Sequence, residues 1–265
     1  MTRIEFINRS SASNVASQIN LFAAPLLIFR WEEAEYWQAE ILAAIEKRRR
    51  ISKGMQRTNV GGWHSKRDLP GWEDRATRML AQWAAARATD ATAQWRQGEQ
   101  QPAPRQWRMD GWANVNPPGG AYNRAHDHVM LNWNWSACYY VAGAPSNADK
   151  GGDIVFEDLW SGVQTLQSAT RRSFRYAPSN GEMLMWPSWV SHRVEPHEGD
   201  GDRVSIAMNF HSPWLERSRY WTHRPGFMWR NMPWLMRPLA RLRGSWDQSP
   251  AGAPPGFDID VDETV

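Results

Sequence analysis

The segment RAHDHVML, residues 124–131, places one histidine on either side of an aspartate. In a β-strand, successive side chains point to opposite faces, so His126 and His128 would share a face while Asp127 points away. Neutral imidazoles are common ligands of divalent transition metals. Two imidazoles at positions i and i+2 can therefore contact one ion, and this spacing predicts a metal site.

A third metal ligand must come from another part of the chain. The best candidate is His192, because it follows the strand-like run EMLMWPS at a point where the chain can return beside the first strand. Asp127 stays an alternative to His128 if the first strand ends or bulges at His126, although alternation favours His128. The other histidines are interpreted as polar surface or hydrogen-bonded core residues; they are His64, His197, His211 and His223.

A single arginine suggests what lies next to this metal. Arg203 follows His192 at the start of the next strand-like run, RVSIAMNF. Inside the mouth of a barrel, a planar guanidinium can bind a carboxylate through two parallel hydrogen bonds. The alternative is a surface arginine at the start of a strand. The neighbouring histidines favour a carboxylate-binding role.

The elements that must position these residues differ between the two halves of the chain. Residues 21–100 are mainly helical, since 31–50 and 71–95 carry apolar residues at helical spacing, with a glycine-containing loop at 57–70 between them. From Trp107 onward, short runs separated by Gly, Pro, Asn and Asp predict strands of a sandwich or barrel. The strand candidates are residues 107–116, 131–143, 153–159, 173–178, 182–188, 192–197 and 203–212.

The whole of residues 1–250 is predicted to be a single domain, with its helices mainly at 21–100 and its β core at 107–212. A segment rich in Trp and Arg follows at 213–245. It is interpreted as packing over the barrel, with a basic amphipathic surface for a partner or a membrane as the alternative. Residues 246–265 are acidic and rich in proline, which predicts a flexible tail.

Composition limits the possible classes of protein. The chain has 265 residues, a formal net charge of +3 and 18 tryptophans, some of which are expected to line a groove. The charge is too small to indicate nucleic acid as a partner. No run reaches the ~20 apolar residues of a membrane span, the N-terminus lacks the pattern of a signal peptide, and there is one cysteine. We therefore expect a cytoplasmic protein, with a homodimer as a further possibility.

The order of several motifs resembles that of Fe(II)- and 2-oxoglutarate-dependent oxygenases. These motifs are H-x-H (126–128), YYV (139–141), GGDIVF (151–156), GEMLMWPSWVSHRV (181–194) and RVSIAMNF (203–210). More narrowly, the chain resembles a bacterial and phage family of such oxygenases that has an SN-x-GGW-x-S loop, a W-x-N-x-N strand and an H-x-HP motif. The matching segments are TNVGGWHS (58–65), GWANVN (111–116) and HDHV (126–129).

This resemblance extends from about Leu21 to Phe210. It implies an α+β fold, in which a double-stranded β-helix, a jelly-roll or cupin-like barrel, has N-terminal helices packed on it. It also implies Fe(II) and 2-oxoglutarate as cofactors. The expected activity is that of a dioxygenase, a hydroxylase of an unactivated C–H bond in a small molecule, an amino acid or a peptide.

The resemblance also assigns roles to individual residues. It implies that His126 and His192 are iron ligands and that Arg203 forms a salt bridge with the distal carboxylate of 2-oxoglutarate. Tyr140 and Ser205 would donate hydrogen bonds to the same carboxylate. Two asparagines would lie near the cofactor or the ligand histidines; they are Asn114 and Asn116.

One departure from the wider superfamily concerns the metal ligands. Most members have H-x-D, which gives two histidines and a carboxylate. Here the third position is His128, and Val129 stands where the narrower family has proline. Three neutral imidazoles leave the ion more positive. Two alternatives follow: a cupin-like dioxygenase with three histidines that does not use 2-oxoglutarate, or a non-catalytic β-barrel binding module.

Overall fold

A computed structural model of the chain describes residues 24–95, 103–128, 133–143, 151–158, 173–212 and 256–261. Within these ranges, two antiparallel sheets face each other and two long helices pack against the larger sheet. The Trp- and Arg-rich segment 213–245 lies outside the described residues. No helix in the described part of the chain is long and apolar enough to cross a membrane.

The two predicted helices are present. Helix α1 spans Ala34–Ile51 and helix α2 spans Arg75–Trp95. Helix α1 has an acid in its first turn and three arginines in its last, which suits the helix dipole. The buried face of α2 consists largely of alanine, so its backbone can approach the sheet closely.

The larger sheet carries the helices on its outer face. It has seven strands, of which six follow one path in the order β1-β9-β6-β11-β4-β12, and β3 pairs with β4 beside that path. The strands are β1 (Leu27–Arg30), β3 (Trp63–His64), β4 (Gln106–Asn116), β6 (Trp135–Ala142), β9 (Glu182–Pro187), β11 (Arg203–His211) and β12 (Phe257–Asp260).

The smaller sheet has five strands in the order β2-β5-β10-β7-β8. Its strands are β2 (Asn59–Val60), β5 (Ala121–His126), β7 (Ile154–Glu157), β8 (Ser173–Tyr176) and β10 (Ser191–His197). A single turn of 3-10 helix at Leu69–Gly71 lies beside β4.

Alternation along the central strands divides the core into two parts. On β6, Tyr139 packs towards the helices, where its ring contacts Trp31 and Trp83. The next residue, Tyr140, faces the space between the sheets and belongs to a smaller cluster with Phe156 and Trp186. Polar side chains occupy the rest of that space, and they form the candidate site.

The structure confirms the α+β fold class and the two helices, and it has a strand within each predicted strand run. It differs in the short strands. β1, β2 and β3 lie in segments predicted as helix or loop, and β12 lies in the predicted flexible tail. These strands have two to four residues and gain their hydrogen bonds by pairing with sheet edges, so no local periodicity reveals them. The domain boundaries otherwise stay a prediction.

Candidate metal centre

Three histidines meet at one end of the space between the sheets. His126 is the last residue of β5 and lies directly opposite His192 on β10. His128 follows two residues later. One ring nitrogen from each lies within 4.8 Å of the others, and the ring centroids of His126 and His192 are 4.4 Å apart. The predicted return of the second strand beside the first is therefore present, and it brings the three imidazoles together.

The hydrogen bonds of two of these rings fix their tautomers. The Nδ1 atom of His126 lies 2.8 Å from the carbonyl oxygen of Arg124. The Nδ1 atom of His192 lies 3.1 Å from the carbonyl oxygen of Val190. A carbonyl oxygen only accepts hydrogen bonds, so each Nδ1 carries the proton and donates. Nε2 then has the free lone pair in both rings, as a metal ligand requires.

The third ring is oriented by an asparagine. Nδ1 of His128 donates to Oδ1 of Asn209 at 2.6 Å, and the hydroxyl of Ser136 donates to the same oxygen at 2.8 Å. Nδ2 of Asn209 donates to a carboxylate oxygen of Asp110 at 2.9 Å. The other oxygen of Asp110 forms a salt bridge with Arg67 at 2.5 Å. A chain of buried polar groups therefore leads from the metal site to an arginine at its margin.

Burial keeps all three imidazoles neutral. It lowers the pKa of His128 to about 3, and the positive charge that His126 carries when protonated lowers it further. Burial also holds the pKa of His192 well below 6.5, with the protonated forms of the two other rings as lesser causes. The pKa of His126 is lowered by burial too. Neutral imidazole is the form that binds metals, so the site needs no deprotonation near pH 7.

The side chain of Asp127 lies outside this cluster. β5 ends at His126, the condition under which Asp127 was the alternative ligand. The chain nevertheless continues so that the His128 amide donates to the Ser188 carbonyl at 2.9 Å. That contact places the His128 ring beside the two others, while Asp127 is exposed. β5 ends two residues before His128, so strand alternation does not direct this side chain inward. The backbone hydrogen bond to Ser188 fixes its position instead.

Arg203 lies deeper in the same cavity. It is the first residue of β11 and only 1% exposed, and the cavity that it lines also contains the three histidines. Its Nη1 is 3.4 Å from the Ser205 hydroxyl, and its guanidinium lies 5.2 Å from the centroid of the Tyr140 ring. Its Nε and Nη2 atoms are buried without a hydrogen-bond partner in the described part of the chain. A buried guanidinium in this state calls for an anion.

The predicted asparagines have different surroundings. Asn114 lies opposite Ser205 in the sheet and lines the cavity, and its Oδ1 has no hydrogen-bond partner among the described residues. Asn116 lies opposite Arg203, but its amide donates to Asn123 at 3.1 Å. The Oδ1 of Asn116 also has no hydrogen-bond partner among the described residues, but of the two asparagines only Asn114 lines the cavity.

Sequence inspection missed Asn209 and Asp110. Alternation from Arg203 along β11 points residues 205, 207 and 209 to the same face, and an asparagine at a core position was an available signal. Asp110 stands on β4 directly opposite Asn209. Its partnership depends on that register between strands far apart in sequence, which no local pattern reveals.

Comparisons with known proteins agree with this geometry. Residues 110–209 match a family model described as "Putative 2OG-Fe(II) oxygenase". No curated protein sequence matches the chain. Among solved structures, the chain is similar to a prolyl hydroxylase from Trichoplax adhaerens in complex with a hypoxia inducible factor peptide fragment. That likeness has 13% identity, a TM-score of 0.53, and coverage of 73% of this chain and 86% of the other.

Two further similar structures come from nogalamycin biosynthesis. The non-heme alpha ketoglutarate dependent epimerase SnoN has 11% identity and a TM-score of 0.54, over 71% of this chain and 77% of the other. The carbocyclase SnoK has 12% identity and a TM-score of 0.51, over 71% and 79%. At these identities the likeness shows the fold. The segment that matches the 2OG-Fe(II) oxygenase family model, residues 110–209, contains all three histidines and Arg203.

Proposed function

We propose that this chain is an Fe(II)- and 2-oxoglutarate-dependent oxygenase that hydroxylates an unactivated C–H bond. In this proposal His126, His128 and His192 hold the iron, and Arg203 binds the distal carboxylate of 2-oxoglutarate. The observation that carries it is that a neutral three-histidine cluster lines the same cavity as a buried arginine, two of whose nitrogens have no hydrogen-bond partner among the described residues.

The residues fit the two cofactors chemically. Three imidazole nitrogens suit Fe(II), and three protein ligands leave positions open for a chelating keto acid. 2-Oxoglutarate is a dianion, so one carboxylate can bind near the metal while the other neutralises Arg203. When bound, these groups activate O₂: 2-oxoglutarate is oxidised to succinate and CO₂, one oxygen atom enters succinate and the other enters the substrate as a hydroxyl group.

The protein's own part is to bind, to orient and to exclude water. The Ser205 hydroxyl and the buried Tyr140 ring flank Arg203 and are suited to position the distal carboxylate. The Trp186 ring stands 4.8 Å from that of His192, and the Trp112 ring stacks on His128 at 5.9 Å. These indoles shield the rings from solvent, which strengthens every electrostatic contact inside.

No carboxylate belongs to the three-histidine set, but a buried carboxylate lies behind one of the three rings. The carboxyl of Asp110 is joined to His128 through the Asn209 amide. Burial raises the pKa of Asp110 to about 6 against the opposing effect of Arg67, so this acid is ionised at pH 7.5. A negative charge two hydrogen bonds from the ring makes His128 a stronger electron donor, in part replacing the charge that a bound aspartate supplies.

We propose that the substrate is a small molecule, an amino acid or a peptide. The Trichoplax protein was solved with a peptide, whereas SnoN was solved in a complex with nogalamycin RO. We further propose a cytoplasmic location, because a single cysteine suits a reducing compartment. A homodimer stays a prediction.

Succinate formation tests the proposal. The protein is loaded anaerobically with Fe(II) and 2-oxoglutarate and exposed to O₂, and succinate is then quantified. We expect slow formation by the wild type, none by His192→Ala, and a Michaelis constant for 2-oxoglutarate raised about 10- to 100-fold in Arg203→Gln, from a charged hydrogen-bond pair. Arg50→Gln, an exposed arginine of α1, is the matched control. Wild-type protein that binds Fe(II) but forms no succinate contradicts the proposal.

The three-histidine set also supports a second function, a metal dioxygenase that does not use 2-oxoglutarate. The same preparation distinguishes the two. Oxygen consumption with candidate substrates in the absence of 2-oxoglutarate, unchanged in Arg203→Gln, would favour this second function.

A further inference from the structure

Four strands of the smaller sheet carry a row of side chains that begins at the three-histidine cluster. His126 is opposite His192, His192 is opposite Phe156, and Phe156 is opposite Phe174. Residues directly opposite each other in a sheet present their side chains on the same face. At about 4.8 Å per strand, three steps separate Phe174 from His126 by about 14 Å. The row therefore begins at two of the three histidines and continues across two further strands to Phe174.

One end of this row is cationic. A pocket of about 190 Å³ lies beside His126 and His128, and its other lining residues are Arg57, Thr58, His64, Arg67, Trp112 and Asp127. Arg57 is exposed and makes no salt bridge with a described residue. Arg67 is bound to Asp110, but its Nε is buried without a hydrogen-bond partner among the described residues. Arg67 therefore shares its charge with the buried Asp110, whereas Arg57 presents its guanidinium to the pocket, whose lining carboxylate is the exposed Asp127.

The opposite end is apolar. A hollow of about 480 Å³ is lined mainly by Leu26, Phe156, Phe174, Trp186 and Val190. The Phe174 side chain is 57% exposed, and the Phe156 and Trp186 rings pack edge to face 5.0 Å apart. Exposed aromatic surface beside a reactive centre indicates a binding surface.

Charge also distinguishes the two ends. The charged residues lining the apolar hollow are acids, Glu157 and Asp158, and Glu157 is hydrogen-bonded to Arg193 at 3.0 Å. No lysine or arginine is among the residues lining the apolar hollow, so of the two ends only the pocket of Arg57 and Arg67 offers an anionic group a guanidinium. A ligand that lies along the row would therefore bind in a single orientation, with its anionic group at the Arg57 and Arg67 pocket and its apolar part in the hollow.

We propose that the substrate is an amphiphilic carboxylate. Its carboxylate binds Arg57 and Arg67, its apolar body lies against Phe156, Trp186 and Phe174, and the intervening carbon atoms pass the three histidines. This assignment of a substrate class rests on the proposed oxygenase function for its chemistry. Binding of the acid does not depend on turnover, so the two are tested separately.

Binding of simple acids and their neutral amides tests the assignment. The protein is loaded with Mn(II) in place of Fe(II) and with N-oxalylglycine, which occupies the 2-oxoglutarate position so that a probe cannot bind at Arg203. Decanoate, decanamide, 4-phenylbutyrate, 4-phenylbutanamide and acetate are then titrated calorimetrically. We expect at least one of the two larger acids to bind about tenfold or more tightly than both its amide and acetate.

Two substitutions locate the ends of the bound acid. Arg57→Gln should weaken binding of the acid about tenfold or more and leave the amide unchanged, because it removes only the charge pairing. Phe174→Ser should weaken acid and amide together, because it removes apolar contact. The matched controls are Lys66→Gln, an exposed cation next to Arg67 that does not line the pocket, and Ile51→Ser, an exposed apolar residue of α1. Both should bind as the wild type does.

Three results would overturn the assignment: equal binding of acid and amide, acid binding unaffected by Arg57→Gln, or no binding of either larger acid. Acid binding that disappears when N-oxalylglycine is added would also overturn it, since the acid would then have occupied the Arg203 site. Failure of the oxygenase function instead appears as absent succinate formation while acid binding persists.

Discussion

Replacing Asn209 by leucine should weaken metal binding without touching a ligand. The Asn209 amide receives hydrogen bonds from His128 and Ser136 and donates one to Asp110, and it is fully buried. Leucine has the same number of side-chain heavy atoms as asparagine and the same branching at Cγ, but it offers no polar atom and it excludes the water that a smaller residue would admit. The His128 ring then loses the acceptor that fixes its proton on Nδ1.

The magnitude follows from which groups lose a partner. Loss of the hydrogen-bonding residue behind a metal-bound histidine lowers metal affinity by about 10- to 100-fold, or about 1.4–2.7 kcal/mol. Two buried donors, on His128 and Ser136, are left without an acceptor, at a cost to folding of about 1–3 kcal/mol each. Asp110 keeps its salt bridge with Arg67. The variant should fold but be less stable, and it should bind metal more weakly.

Ser136→Ala is the matched control, because it removes a hydrogen bond to the same oxygen of Asn209 and leaves the bond from His128 in place. It should cost about 1 kcal/mol of stability and leave metal affinity unchanged. Co(II) titration followed by visible absorption measures the affinity, and urea unfolding measures stability. If the leucine variant does not fold, Asn209→Ala takes its place. A folded Asn209 variant that binds Co(II) as tightly as the wild type would refute this role for the amide.

Three further predictions concern the surroundings of the site. Burial lowers the pKa of His64 to about 4, below its unfolded value of 6.5, so the stability that the neutral ring contributes is lost as pH falls. In urea unfolding, the stability advantage of the wild type over His64→Gln should therefore shrink by about 2 kcal/mol between pH 7 and pH 5. An unchanged difference would be inconsistent with this pKa. Gly152 has φ +78°, and a Cβ there would lie 3.1 Å from the Arg203 side chain. Because of that backbone conformation, Gly152→Ala should cost about 1–2 kcal/mol of stability. Because the new methyl group displaces Arg203, the substitution should also weaken 2-oxoglutarate binding in calorimetry, and an unchanged affinity would contradict that displacement. Tyr140→Phe should weaken 2-oxoglutarate binding about tenfold by the loss of one hydrogen bond to a carboxylate, and an unaltered dissociation constant would exclude that bond.

Much of the architecture follows from local patterns. The spacing of Trp37, Ile41, Leu42 and Ile45 predicts α1. The helix buries three of these four residues together with Ala44, and Leu42 is partly buried. Runs such as RVSIAMNF predict strands because they are apolar and bounded by turn residues, and β11 covers that run entirely. The pairing of His126 with His192 follows from one assumed strand return, and β10 pairs with β5 at that position. His128 joins them although β5 ends at His126, so strand alternation does not account for its place.

What could not be predicted depends on contacts between distant segments. Asn209 reaches His128 from a strand more than eighty residues away in sequence, and Asp110 reaches Asn209 from further still. These bonds depend on the register of β11 with β4 and on the path of the chain after β5. Hydrophobic periodicity specifies which face of a strand is buried, but not which residue of another strand lies opposite.

Arg67 connects the two parts of the site that the sequence left separate. Its guanidinium binds Asp110, and through Asn209 that acid is joined to the ring of His128. The same guanidinium lies 4.7 Å from the centroid of the Trp112 ring and lines the pocket to which we assign the substrate carboxylate. An anion bound there competes with Asp110 for the charge of Arg67. If both proposals hold, substrate binding at Arg67 would alter the charge that Asp110 presents to His128 through Asn209, and a single side chain would couple the substrate pocket to one of the metal ligands.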